Sequence, residues 1–597
     1  MYRQVLDPVA DSLAWSSLFA ALPLLTLFVL LGVLRMRAWL AALISLLVAI
    51  LVAVIVYSMP VGQSLLAASE GAVFGFFPIL WIVLNAIWVY NMTVETGHFD
   101  VLRRSFASVS DDQRIQAVII AFCFGALLEA LAGFGTPVAI TSVMLIALGF
   151  RPMKAAAVSL VANTAPVAFG ALATPIVTLA TVTGLPQDDL GAMVGRQTPL
   201  LALFVPLALV FIVDRRRGLR EVWPAAVVCG VTFAVAQFVT SNYISVPLTD
   251  IVAALVAAGA VVLFLRAWQP AGGYVEDEAD ERVVAGRRDT MAAREDQATR
   301  PVSGSGTGLA ADDQPAGTVG AAGTGRHRTD GGVGGAGGVG AGGVGGPAVQ
   351  DRPAEVARAY APYLIIIAVF VIAQLPGIKG AIADTTQVFH WPGLDLQNAA
   401  GKPQSLQNFS FNWLAAGGTL LLIAGLISIP VLGISPAKAA AAYVKTYRQL
   451  FTAIVTVMAV LALAYVMNAS GQTATLGNWM AGAGGFFAVL SPVLGWLGVA
   501  VTGSDTSSNS LFGALQVTAA NKAGLDPLLM AASNSSGGVL GKMVSPQNLA
   551  IAAAAVGLAG REGDVFRRVL GWSLVLLAIM ILIVVLQSSA VLSWMVV

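Results

Sequence analysis

The stretch GSDTSSNSLFGALQ at residues 503–516 is followed, after a short break, by SNSSGGVLGKMVSPQNLAIA at residues 533–552. Both segments place acidic, basic, hydroxyl and amide side chains within sequence that is otherwise apolar. A polar group at membrane depth costs free energy unless it lines a protected cavity. The glycines of these segments and Pro546 also predict broken helices, whose free backbone groups bind solutes. The two segments therefore predict a polar site inside a membrane.

The composition of the whole chain is that of a membrane protein. Of its 597 residues, 57% are hydrophobic and only 11% are charged, and the mean hydropathy is +0.81. Soluble domains carry about 25% charged residues. The apolar runs predict an all-α polytopic protein with about 12–15 membrane segments, and hence a lipid bilayer as partner. The net charge of +1 gives no reason to expect a nucleic-acid partner.

The apolar runs fall into two halves, residues 1–269 and 359–597, separated by a polar region. That region, 270–358, includes GGVGGAGGVGAGGVGGPA, which has too few apolar side chains to form a core. Basic residues concentrate on the cytoplasmic side of membrane proteins, and the run Arg215–Arg217 marks that side here. We therefore predict a disordered, Gly-rich cytoplasmic linker between two membrane halves.

Each half contains two polar breaks, at 129–137 and 163–175 in the first and at 503–509 and 534–548 in the second. The second break of each half shares a pattern of Asn, Gly, Thr or Ser, and Pro at the same spacing. The matching residues are Asn163, Gly170, Thr174 and Pro175 in the first half, and Asn534, Gly541, Ser545 and Pro546 in the second. The joint register of Asn, Thr/Ser and Pro indicates an internal repeat.

The charges that flank the two copies indicate that they run in opposite directions. Arg151 and Lys154 place the start of the first copy inside, whereas Arg561 and Arg567 place the end of the second copy inside. Inverted repeats with discontinuous or re-entrant helices are typical of secondary transporters, which bind their solute at the repeat interface. The sequence therefore predicts an inverted-repeat secondary transporter.

We expect the polar residues and glycines of the four breaks to bind the solute. The N-terminal end of a half-helix carries about +0.5 charge and free N–H donors, which favours an anion, and Lys542 adds a counter-charge. The predicted binding residues are Gly133, Gly135, Thr136, Asn163, Thr164, Thr506, Ser507, Asn509, Asn534, Ser535, Ser536, Lys542 and Gln547.

Two carboxyl groups in these breaks, Asp505 and Glu129, are candidates for proton coupling. Each loses its water when the site closes, and desolvation disfavours the charged form of a carboxyl group. Such a group is able to take up a proton outside and release it inside. Asp505 is the favoured candidate of the two because it lies within the hydroxyl-rich GSDTSSN segment.

Other functions are less consistent with the residues. Cys123 and Cys229 are isolated, and the three histidines lie in predicted loops, so we expect neither a metal site nor a cofactor. An intramembrane hydrolase would use Ser504 or Ser507 with Asp505, but no histidine lies nearby in the sequence as general base. A channel would require rings of like charge along a continuous pore.

Four segments resemble the L-lactate permease family: LLEALAGFGTPVAI at 127–140, NTAPVAFG at 163–170, and the two segments quoted first. The resemblance covers nearly all of the chain except 270–358, which departs from the family pattern. It implies a bacterial plasma-membrane carrier that takes up L-lactate, and related 2-hydroxy monocarboxylates such as glycolate, together with protons. Sodium-coupled uptake of a carboxylate or dicarboxylate is the alternative, because the hydroxyls of GSDTSSN are also suitable Na⁺ ligands.

Overall fold

The structure is a computed structural model, which describes residues 1–34, 36–131, 133, 135–270, 273–274, 351–375 and 377–597. Most of the predicted linker therefore lies outside the described residues. The first half contains fourteen α-helices within these ranges, here α1 to α14: Leu13–Phe28, Ala38–Ile55, Val61–Phe74, Trp81–Glu95, His98–Ala107, Gln113–Gln116, Gly125–Leu131, Thr136–Ala147, Pro152–Ala162, Gly170–Thr183, Gln187–Val194, Thr198–Ala202, Val205–Val239 and Thr249–Ala267.

The second half begins within the region predicted as linker, because its first helix begins at Pro353. Ten α-helices follow within the described residues, here α15 to α24: Pro353–Gln374, Ile378–Ala383, Gly417–Leu432, Pro436–Ser470, Gln472–Met480, Phe487–Thr502, Asp505–Ala523, Pro527–Gly541, Pro546–Ala555 and Glu562–Gln587.

In the part of the chain that the structure describes, ten helical stretches are long and apolar enough to cross a membrane. An eleventh is counted if the bent pair Pro152–Ala162 and Val167–Thr183 forms one span. This is fewer than the predicted 12–15 for two reasons. The stretch Gln187–Ile244 counts once although its 58 residues would extend about 87 Å as one helix. The apolar helices Thr136–Ala147 and Gly417–Leu432 are shorter than the other spans.

Ion pairs gather several of the predicted cytoplasmic residues at one end of the molecule. Arg114 is fully buried and pairs with Asp112 at 2.7 Å, Asp214 at 3.0 Å and Glu221 at 2.6 Å. The Lys154 ammonium donates to the Val213 carbonyl at 2.8 Å. These contacts join α6 and α9 to α13.

The described residues that flank the linker are held at this same end. The Gln113 N–H donates to the Tyr274 carbonyl at 3.1 Å, and Arg104 forms two hydrogen bonds to Asp351, at 2.7 and 2.9 Å. The Arg104 guanidinium also holds the pKa of the Asp351 carboxyl below its usual value. The described residues on the two sides of the linker therefore contact the neighbouring helices α6 and α5.

A small β region lies in the loop between α16 and α17. Strand β2 (Gln387–His390) pairs antiparallel with β4 (Asn408–Phe411). Strand β3 (Leu396–Gln397) pairs in parallel with β1 (Tyr2–Arg3), at the start of the chain. The loop therefore holds the start of the chain at the end of the molecule opposite Arg114 and Lys154, which are called the basic cluster below.

Each predicted break contains an interruption between helices, but the interruptions are shorter than predicted: α21 already begins at Asp505, and α22 continues through Asn534 to Gly541. Near these breaks, helices of one half pack against helices of the other. Helix α10 of the first half packs against α21 of the second, and α8 packs against α23. Within each copy, α8 packs against α9 and α21 against α22. This reciprocal pattern is what two copies related by a two-fold axis would produce.

Candidate solute site at the helix breaks

The first cluster of the site is built around Glu129, whose side chain is buried in α7. Its Oε1 accepts a hydrogen bond from the ammonium of Lys542, which directly follows α22. Its Oε2 accepts from Asn163 Nδ2 at 3.0 Å, and Asn163 directly follows α9. The ends of two broken helices, one from each half, therefore meet at a single carboxylate.

The backbone passes close to this carboxylate, and a glycine without a side chain leaves the room that the carboxylate needs. A Cβ atom added to Gly170 would lie 2.8 Å from Glu129 Oε1. The next three residues, Ala171, Leu172 and Ala173, have positive φ angles of 44°, 53° and 59°. Non-glycine residues seldom adopt this conformation, and such strain is concentrated at functional sites. Regular helix in α10 therefore begins only at Thr174.

A second cluster surrounds Asp505, the first residue of α21. Its Oδ2 accepts from Ser535 Oγ at 2.5 Å and, more weakly, from Asn509 Nδ2 at 3.5 Å. Its Oδ1 is buried and accepts no hydrogen bond from any residue that the structure describes. Lys542 attracts Asp505 electrostatically but forms its ion pair with Glu129.

Amide side chains connect this cluster to the first half of the chain. Asn534 Nδ2 donates to Asn509 Oδ1 at 2.8 Å, and Gln516 Nε2 donates to Asn534 Oδ1 at 3.0 Å. Asn509 Nδ2 also donates to the Pro175 carbonyl, at 3.1 Å. Because each amide is held by another, the network fixes the orientation of its members.

Helix N-termini from both halves face the same region. The contact of Asn509 with Pro175 places the starts of α21 and α10 together. A Cβ atom added to Gly135, which has a φ of +80°, would lie 3.2 Å from Asn548 Oδ1, so the starts of α8 and α23 also adjoin. Free N–H groups and helix dipoles at such ends favour an anion.

Several buried polar atoms of the site have no partner among the described residues. They comprise two carbonyl oxygens, Asn163 Oδ1 and Asn548 Oδ1, the hydroxyl Ser536 Oγ and the carboxyl oxygen Asp505 Oδ1. A buried polar atom without a partner is unfavourable by about 1–3 kcal/mol. These atoms are therefore suited to bind a small polar ligand.

The structure brings together most of the predicted residues, but not all. Asn163, Lys542, Asn509, Asn534 and Ser535 join the two clusters with Asp505 and Glu129, as described above. Gly133 is buried beside Glu129, and Ser536 lies in the adjoining turn of α22. Thr506 and Ser507 are buried in the first turn of α21, and Thr136 is half-buried at the start of α8.

Two predicted residues do not reach the clusters. The Thr164 hydroxyl donates to the Val161 carbonyl at 2.5 Å, and Gln547 is exposed beside Gly503. The sequence prediction omitted Gln516 and Asn548 from the site. Gln516 follows Asn509 by seven residues, two helical turns, so helical spacing alone would have indicated it.

Comparison with known proteins gives the chain a family. The family model described as L-lactate permease matches residues 16–302 and 346–591. The L-lactate permease of Bacillus subtilis is 38% identical over 615 residues, covering 100% of both chains. The glycolate permease GlcA of Escherichia coli is 39% identical over 589 residues, covering 96% of both chains. A solved structure of MtrF from Neisseria gonorrhoeae aligns with 13% identity and a TM-score of 0.41, covering 87% of this chain and 83% of that one.

The full-length relatives are named as permeases, and ten described helical stretches are long and apolar enough to cross a bilayer. The chain is accordingly a multi-pass membrane transporter of the bacterial plasma membrane. It belongs to the L-lactate permease family.

Proposed function

We propose that this protein takes up L-lactate and related 2-hydroxy monocarboxylates, such as glycolate, in symport with protons. The contact between Glu129 and Lys542 is the observation that carries the proposal. It buries an ammonium at the point where broken helices of both halves meet. A carboxylate substrate competes with Glu129 for this ammonium, and protonation of Glu129 releases it.

Charge balance supports coupling to one proton. Within the described residues of the two clusters, Lys542 is the only cation, and it is already paired with Glu129. A monoanion that enters adds a further negative charge to a buried site, which is strongly unfavourable without compensation. One proton bound to Glu129 cancels that charge. The direct contact with Lys542 favours Glu129 over Asp505 as the coupling residue, and Asp505 is the second candidate.

Recognition of a 2-hydroxy acid follows from the free acceptor beside the ammonium. Asn163 Nδ2 is bound to Glu129, whereas Asn163 Oδ1 has no partner in the described ranges of the chain. With the substrate carboxylate on Lys542, the adjacent 2-hydroxyl group donates to Asn163 Oδ1. The Ser536 hydroxyl and the helix N-termini provide further donors for the carboxylate. The protein releases its substrate chemically unchanged.

The reciprocal packing of α8, α10, α21 and α23 supports an inverted repeat. We infer that the two arrangements of this repeat open the site alternately to either side. Residues 1–269 and 359–597 then form the two membrane halves, and 270–358 connects them in the cytoplasm.

Purified protein in proteoliposomes tests the function directly. With an inside-alkaline pH gradient, we expect labelled lactate and glycolate to accumulate and succinate not to accumulate. Replacement of Na⁺ by choline at fixed pH should leave uptake unchanged. A requirement for Na⁺, or preferential accumulation of succinate, would instead support a sodium-coupled carboxylate or dicarboxylate transporter.

A further inference from the structure

Asp250 is a buried carboxyl group outside the site described above. It is the second residue of α14, and none of its surface is exposed. Its Oδ1 accepts from Gln237 Nε2 at 2.8 Å, whereas its Oδ2 has no partner within the described part of the chain. A carboxyl oxygen is expensive to bury without a partner. The free Oδ2 therefore requires an explanation beyond packing.

The helix that carries Asp250 packs against the helices that hold Glu129. It contacts α7, which contains Glu129, and α10, which begins at Gly170. Asp250 and Glu129 are close enough for a direct electrostatic interaction. The proton-binding groups of the described site and Asp250 therefore belong to one continuous region.

The remaining charged groups of the elements around α14 lie far from Asp250. Glu221 is sixteen residues before Gln237 on α13, about 24 Å along a helix, and Arg266 is equally far along α14. The other titratable residues of these elements are Cys123, Asp214, Arg215, Arg216, Arg217, Arg220, Cys229 and Tyr243.

A cavity of about 320 Å³ lies at the end of the molecule opposite the basic cluster. Its wall includes residues 241–247, which immediately precede α14, and Leu172 from the strained start of α10. Asp188 and Lys379 also line it and form an exposed ion pair at 3.8 Å. The cavity is therefore lined by the chain segment just before Asp250 and by a residue two positions after Gly170, which adjoins Glu129.

We propose that Asp250 carries the coupling proton between this cavity and Glu129. A proton that enters from the cavity water binds Asp250 Oδ2 and then passes to Glu129. Protonation of Glu129 breaks its ion pair with Lys542, so the Lys542 ammonium is free to bind the substrate. Asp250 returns to a carboxylate, and no other bond is formed or broken. This inference rests on the proton symport proposed above and assigns that function a route from the outer face.

The variant Asp250→Asn tests the route, because its carbonyl oxygen still accepts from Gln237 but its side chain no longer binds a proton. Two assays in the same proteoliposomes are compared. One measures lactate accumulation driven by a pH gradient, and the other measures exchange of labelled for unlabelled lactate at equal pH. We expect Asp250→Asn to lower accumulation at least tenfold and to leave exchange within about twofold of the native protein. The control Asp384→Asn, at an exposed loop residue, should change neither.

Each other outcome overturns the inference. Normal accumulation in Asp250→Asn would show that the proton takes another route. Equal loss of accumulation and exchange would make Asp250 a structural residue. If the native protein accumulates no lactate under a pH gradient, the proposed symport fails and the inference fails with it. If the native protein and Asp250→Asn both accumulate lactate normally, the route through Asp250 is refuted but the proposed symport is not.

Discussion

Lys542 and Glu129 are 413 residues apart in the sequence and form a buried ion pair between the two membrane halves. Each residue lies at a break, Lys542 just after α22 and Glu129 near the end of α7. Neither side chain is more than 7% exposed. An ion pair so placed is able to join the halves in one arrangement of the repeat and to yield to an anion in another.

The stability of the protein should depend on both members of this pair. We expect Lys542→Gln to lower the unfolding free energy by about 3–5 kcal/mol, because Glu129 is left buried without its cation. The double variant Glu129→Gln/Lys542→Gln should recover most of that loss, since two neutral amides still form a hydrogen bond. Thermal unfolding of detergent-purified protein measures both. A double variant no more stable than Lys542→Gln would contradict a direct pairing.

Asn163 should determine selectivity for the 2-hydroxyl group. Asn163→Ala removes the free acceptor, so we expect lactate affinity to fall about tenfold, as loss of a buried hydrogen bond of about 1–3 kcal/mol implies. Propionate, which lacks the hydroxyl, should lose less. Competition against labelled lactate gives both affinities.

Asn534→Ala is the matched control for this selectivity. Both ends of the Asn534 amide are already bound, to Asn509 and Gln516. We therefore expect Asn534→Ala to weaken lactate and propionate binding by similar factors, about tenfold for lactate. If Asn163→Ala weakened the binding of lactate and propionate equally, Asn163 would have no role in recognising the 2-hydroxyl group.

Gly537 should be required for the packing of α22 against α20. A Cβ atom at Gly537 would meet the Pro492 backbone, 2.6 Å from its Cα atom. Overpacking of this kind destabilises by about 1–3 kcal/mol, so Gly537→Ala should lower the melting temperature. Gly259→Ala on α14 is the control, because no atom lies within 4 Å of its Cβ position. Equal melting temperatures for the two variants would contradict this packing.

The sequence predicted the breaks well because their residue types are unfavourable in a continuous apolar helix. Glycine, proline and amides within apolar runs indicated interruptions after α7, α9 and α20, whereas α22 continues through Asn534 and Gly538 to Gly541. Spacing also indicated which breaks correspond. Charge asymmetry predicted the basic end, at which Arg114 and Lys154 now contact the α13 segment.

The contacts within the site could not be predicted from the sequence, because they form between residues that are far apart in the chain. The sequence favours Asp505 for proton coupling because Asp505 has many polar neighbours in the sequence. The pairing of Glu129 with Lys542 is not visible there, because it forms only when the two halves pack together. Asp250 likewise stands beside Thr249 at a helix start, where an acidic residue is ordinarily a solvated helix-capping group. Its complete burial depends on α7, α10 and α13 packing around it.

Transport should not require most of the linker. Its composition predicts that it does not pack, and the flanking residues Tyr274 and Asp351 are both held near Arg104 and Gln113. We expect replacement of residues 280–350 by a short Gly/Ser linker to leave lactate uptake per inserted protein within about twofold of native. Loss of uptake in a variant with native melting temperature would assign the linker a regulatory or docking role.

The last prediction distinguishes the two carboxyl groups of the site. Glu129→Gln keeps a hydrogen-bond acceptor for Lys542 but binds no proton. We therefore expect it to abolish lactate accumulation driven by a pH gradient while exchange at equal pH continues. Its lactate affinity should no longer change with pH, because the competing carboxylate is absent. Asp505→Asn keeps an acceptor for Ser535 and does not touch the contact between Glu129 and Lys542. It should retain gradient-driven accumulation. The reverse result, accumulation in Glu129→Gln and none in Asp505→Asn, would make Asp505 the proton carrier and leave Glu129 as the structural counter-charge of Lys542.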